Sequence, residues 1–216
     1  MDFGDVTLKL LDASKYTLGL FAMTLAAAIP LGMLVCACAV SKLKPLKYVT
    51  GVFIWIIRGT PLMLQIMVVF YVPGLLFGTP VRNRFLAAFI AFAINYAAYF
   101  AEIYRGGLES IPSGQYDACK ALGMSKFHTN VLVIFPQVFK KILPPMSNEI
   151  ITLVKDTSLA NVIGIPEIIM SAKGIVSTKA IIWPLFYTGV FYLVMVGALT
   201  ALLKLSEKKL GKYKEQ

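Results

Sequence analysis

The chain carries five apolar runs, at about 16–40, 61–72, 85–104, 146–163 and 180–203, separated by short polar or basic connections. A hydrocarbon core about 30 Å thick takes about 20 apolar residues per helix. With no water there to satisfy the backbone, a segment that crosses it must be helical or part of a closed barrel. Each run is read as a transmembrane helix. Composition agrees: 58% of residues are hydrophobic and 15% charged, whereas soluble domains hold about 25% charged residues. The reading is an all-α integral membrane protein with five spans in one domain over 1–216.

Local breaks refine the spans. Arg58, Gly59, Thr60 and Pro61 interrupt an apolar stretch that starts at Tyr48, and proline favours the first turn of a helix. This predicts a short interfacial helix before Arg58 and a second span from Pro61. The two prolines and two glycines of 73–84 mark a turn. Pro136, Pro144 and Pro145 are expected to break the chain after the long polar stretch into short helices. Asp2, Asp5 and Asp12, with no basic leader, argue against a cleavable signal. Tyr16, Tyr48, Trp55, Trp183 and Tyr187 are read as interfacial anchors.

The net charge of +10 is mostly a topology signal. Lysine and arginine concentrate in 41–58, 105–141 and 204–214, all on one side if five spans alternate, and basic short loops face the cytoplasm. This predicts an outside N-terminus, a cytoplasmic loop at about 105–145 and a basic cytoplasmic tail at 204–216. The charges form no single basic face, which excludes nucleic acid as a partner. Cys36, Cys38 and Cys119 lack metal-ligand spacing, and no metal site is expected. His128 has no acid or nucleophile at useful spacing. No Gly, four residues, Gly-Lys-Ser/Thr pattern occurs, so any use of ATP requires another subunit.

Ionisable groups inside spans are expensive and usually face a cavity or a partner. Asn95, Tyr99 and Glu102 fall at i, i+4 and i+7, and Glu149, Thr152 and Asp156 at i, i+3 and i+7, each set on one helical face. Asn148, Thr152 and Lys155 share an overlapping face. Asp156, Thr157 and Ser158, followed by Leu159, are rich in capping residues. A helix starting there in mid-membrane would aim free N–H groups at a carboxylate. Gln65 is a weaker candidate, as much suited to joining helices. The alternative for Glu149 and Asp156 is a structural ion pair with Lys155 or Arg58, and for Glu102 an interfacial place beside Arg105.

Four motifs add a resemblance. Tyr116, Asp117, Ala118, Cys119, Lys120, Ala121, Leu122, Gly123 and Met124, with Val133, Ile134, Phe135 and Pro136 downstream, resemble the coupling loop of ABC importer permeases. Asp117 and Cys119 stand where Glu and Ala are usual. Arg58 to Leu62 (Arg, Gly, Thr, Pro, Leu), the stretch from Ala101 through Glu102 and Arg105 to Gly107, and Asn148, Glu149 with Lys155 to Leu159 are similar to the histidine, glutamine and arginine permease group. The resemblance spans about 16–205.

It implies a type I importer permease in a bacterial cytoplasmic membrane, pairing with a second copy or a close relative. Its other partners would be an ABC ATPase dimer and an extracytoplasmic amino-acid-binding protein. This chain would bind no cofactor; ATP and magnesium would sit on the ATPase. Asp117, Ala118, Cys119, Ala121, Leu122, Gly123 and Met124 would receive the ATPase stroke, and a polar amino acid, basic ones and glutamine included, would be carried by alternating access. Carboxylates in the spans suit arginine, lysine or histidine. An ion-coupled transporter, an intramembrane enzyme and a scaffold subunit are the competing classes.

Overall fold

The computed structural model describes residues 2–210, with side chains to 208; residues 211–216 of the basic tail lie outside the described residues. Among the described residues the chain is helical throughout: α1 Phe3–Ala39, α2 Lys44–Gly59, α3 Leu62–Phe77, α4 Arg84–Glu109, α5 Ser113–Ala121, α6 Lys126–His128, α7 Phe135–Asp156, α8 Ile168–Lys179 and α9 Trp183–Leu210. A π-helical stretch, Thr129–Ile134, joins α6 to α7, and a 3-10 stretch, Thr157–Ile163, continues α7. Three of these helices are long and apolar enough to cross a membrane, and five spans result when each of two bent pairs is taken as one.

The core forms where small residues let helices meet closely. α4 buries Ala87, Ala88, Ala91, Ala97, Ala98 and Ala101 with the large rings of Phe92, Tyr96 and Phe100 between them. α1 lies against it at Gly32, where a Cβ would stand 2.8 Å from that of Phe100 and 3.2 Å from the Ala97 carbonyl oxygen. Small residues at helix crossings are the usual device in lipid, where van der Waals packing replaces the hydrophobic effect. α7 joins this core through Val138, Ile142, Met146 and Leu153. α4 is therefore the central helix, most of its apolar stretch being buried, whereas α9 buries little of its own.

α1 begins thirteen residues before the expected start, at Phe3 rather than at 16. The Asp5 carboxylate accepts the N–H of Asp2 at 3.3 Å, which satisfies one of the free donors of the first turn. The corner after α2 falls where expected: Thr60 is extended, as a residue before proline prefers, and α3 leaves at 105° to α2. The expected break at Pro144 and Pro145 does not occur, for α7 runs unbroken from Phe135 to Asp156. Proline costs about 3 kcal/mol inside a helix. The residues on either side of the pair, Ile142 and Met146, are buried in the core and hold the helix through it.

Candidate functional site

The corner between α2 and α3 is set by Gln65. Its amide nitrogen donates to the Ile57 carbonyl (2.7 Å) and the Thr60 hydroxyl (2.9 Å), and its oxygen accepts from Asn95 Nδ2 on α4 (3.0 Å). One side chain thus satisfies carbonyls that the bend would leave open and pins the corner to the central helix.

Against this corner lies a cavity of about 510 Å³. One wall is α7 and its continuation, from which Glu149, Thr152, Asp156 and Leu159 reach the cavity, as the i, i+3, i+7 spacing anticipates. The facing wall holds Arg58 from α2 and Asn95, Tyr96 and Tyr99 from α4. The Tyr96 hydroxyl donates to Asp156 Oδ2 at 2.8 Å. The Arg58 guanidinium sits 5.1 Å from the centre of the Tyr99 ring, within cation–π range. Neither Glu149 nor Asp156 has an ion-pair partner among the described residues. The cavity therefore sets two carboxylates against one cation, Arg58, which is held on an aromatic face and also pairs with Glu102 behind it.

The other residues singled out in the sequence lie elsewhere. Glu102 is gripped by Arg105 through two bonds (2.9 and 2.7 Å) and touched by Arg58 at 3.3 Å. It lines a neighbouring cavity of about 840 Å³ with Lys47, Trp55, Arg105 and Glu109. Asn148 is exposed and does not line the 510 Å³ cavity. Thr157 is buried, its hydroxyl donating to the Val154 carbonyl at 2.7 Å. The Ser158 carbonyl accepts from Asn161. The expected helix start at 156–158 is corrected: Asp156 and Thr157 keep helical angles and the chain runs on as a 3-10 helix, so its N–H groups stay in the helix. The cavity also takes residues not assigned to a site from sequence: the corner from Arg58 to Leu62, singled out as a motif and, for Arg58, as an ion-pair partner, and Tyr96, which the i, i+4, i+7 stripe omits.

The loop helix α5 is exposed along Asp117, Ala118 and Ala121, and Cys119 alone is buried. It ends in a Schellman cap: the N–H of Met124 bonds the Cys119 carbonyl and that of Gly123 the Lys120 carbonyl, both at 3.0 Å. Gly123 has φ +71°, the left-handed region that glycine enters without strain. Leu122, 78% exposed, projects beside it.

A polar cleft inside the spans, joined to an exposed and sharply capped helix in the loop between them, defines a membrane-transport subunit. The chain belongs to the family described as binding-protein-dependent transport system inner membrane component, which matches residues 28–212. It is 33% identical to the arginine transport system permease protein ArtQ of Bacillus subtilis over 93% of this chain and 92% of that one. It is 34% identical to the glutamine transport system permease protein GlnP of Escherichia coli, with the same coverage of each. Among solved structures, one described as an amino acid ABC transporter with histidines matches with a TM-score of 0.89 at 31% identity, over 97% of this chain and 99% of that one.

Proposed function

We propose that the chain is the permease of an amino-acid importer and that its substrate passes through the cavity between Glu149, Asp156 and Arg58. The observation that carries this reading is the pair of carboxylates, without ion-pair partners among the described residues, on one face of α7. Charged groups so placed are expensive and are characteristically functional. An α-amino acid brings an ammonium for the carboxylates and a carboxylate for the guanidinium. With two carboxylates to one arginine, a second cation on the substrate fits better than a neutral side chain, which favours arginine, lysine or histidine over glutamine. The relatives include both an arginine and a glutamine permease, so this choice rests on the cavity alone.

Transport proceeds by alternating access. An extracytoplasmic binding protein delivers the amino acid, and a second permease copy completes the pathway. Two ATPase subunits, which hold ATP and magnesium, dock on the exposed face of α5. The N-terminus lies outside and the tail in the cytoplasm. Coupling requires that the ATPase touch α5 differently in its two states.

The test is uptake of labelled arginine into vesicles that contain the permease, the ATPase and the binding protein, with glutamine, histidine and lysine as competitors. Glu149→Gln and Asp156→Asn are each expected to raise the half-saturating substrate concentration at least tenfold, since a hydrogen bond to a charged group contributes about 1.5–3 kcal/mol. Unchanged stimulation of ATP hydrolysis by substrate in both variants would sink the assignment.

A further inference from the structure

We propose that the outer face of α2 binds anionic phospholipids, with Lys44 and Lys47 on the headgroup phosphate and Tyr48, Val52 and Trp55 against the upper acyl chain. The helix turns through 105° into α3. It packs through Ile54, Phe53 and Ile57 on Val35, Cys36 and Ala39 in the final turns of α1 and on Ala98, Ala101, Tyr104 and Leu108 in the second half of α4. It thus lies along the C-terminal parts of those two helices, with Lys44 and Lys47 toward the end of α1.

What remains uncovered is apolar and aromatic: Tyr48 is 74% exposed, Val49 64% and Trp55 75%. Tyrosine and tryptophan in a membrane protein favour the headgroup level. Between Lys44, Lys47, Tyr48, Gly51, Val52 and Trp55 the uncovered face forms a groove of about 560 Å³. Gly51 leaves the floor of the groove open, with nothing within 4 Å of where a Cβ would be.

Charge selects the occupant. The segment 41–59 contains Lys42, Lys44, Lys47 and Arg58 and no acidic residue. None of its three lysines forms an ion pair among the described residues. Apolar walls under a basic rim match a lipid whose phosphate carries net negative charge and whose chains need apolar cover. A second copy of this chain, with eleven acidic residues against twenty-one basic ones, is a poorer counter-ion.

The chain has two tryptophans, so Trp183→Phe leaves Trp55 as the sole reporter. The full-length variant is reconstituted in vesicles that contain either brominated phosphatidylglycerol or brominated phosphatidylcholine at equal mole fraction. Trp55 emission is expected to be quenched, and more strongly by the anionic lipid. Lys44→Gln and Lys47→Gln should each lower that preference about fivefold, the equivalent of one lysine near an anionic surface. The fluorescence lost in Trp55→Phe isolates the same signal with Trp183 in place. An unquenched Trp55, as when a protein partner covers the face, or equal quenching by the two lipids, overturns the proposal. The measurement uses no substrate, ATP or binding protein, and so stands apart from the transport reading.

Discussion

The hydroxyl of Tyr96 on α4 donates to the carboxylate of Asp156 at the end of α7, 2.8 Å away. The ring is held from behind, stacked on Phe92 at 6.3 Å and tilted against Phe100 at 6.1 Å, so the donor direction is fixed and with it the face that Asp156 turns to the cavity. Tyr96→Phe keeps the ring and removes the donor. The half-saturating concentration for uptake should rise about 10- to 100-fold, from a hydrogen bond to a charged acceptor of about 1.5–3 kcal/mol. A substrate titration in vesicles checks this; an unchanged value would mean that the orientation of Asp156 does not matter.

At Gly123 the constraint is conformational. Nothing stands within 4 Å of a Cβ there, so Gly123→Ala meets no neighbour and bears only the strain of a left-handed backbone, about 1–2 kcal/mol. Asparagine tolerates that region better. Uptake per ATP hydrolysed is expected to fall several-fold in the alanine variant and less in Gly123→Asn, with substrate binding retained in both. Equal coupling ratios in all three proteins would remove α5 from the coupling path.

Glu102 separates two readings of α4. Its partners Arg105 and Arg58 have side chains 36% and 43% exposed, and pairs of that kind contribute about 0–1 kcal/mol. Glu102→Gln should therefore change thermal stability little and leave substrate affinity within about twofold. A tenfold loss of affinity would instead put Glu102 on the substrate path.

Two glycines on α1 should respond in opposite ways. Gly32→Ala forces a methyl toward the α4 backbone, 3.2 Å from the Ala97 oxygen and 3.3 Å from the Ala101 nitrogen, and overpacking of this kind costs about 1–3 kcal/mol. Gly19→Ala meets only the end of the Phe85 ring at 3.7 Å and gains up to about 1 kcal/mol of helix propensity. Thermal unfolding in detergent should rank Gly19→Ala at or above the parent and Gly32→Ala below it.

The sequence disclosed what depends on neighbours along the chain. Apolar runs gave the three long spans but not the bent pairs that make up the other two, the dipeptide Thr60-Pro61 gave the corner, and the spacing of Glu149, Thr152 and Asp156 gave one wall of the cavity. It did not disclose what depends on contacts across the fold. Pro144 and Pro145 read as breakers because the burial of Ile142 and Met146, which carries α7 through them, is tertiary. Tyr96, 1% exposed among alanines, looks like packing until Asp156 is brought beside it. Glu102 sits on the same side of α4 as Asn95 and Tyr99, but the position of Arg58 and Arg105 decides which cavity it joins. Gln65, a lone amide in an apolar run, could be identified as joining helices, though not as the clip of the α2–α3 corner.

The close approach of α1 and α4 at Gly32 limits how this protein can move. Backbone atoms there are separated by distances that leave no room for a side chain, and close-packed surfaces do not slide past one another by fractions of a step. The two helices therefore travel as one body. Any change of the cleft within this chain therefore swings α2, α3 or α7 about that seam, as a door moves on a post that itself stays straight.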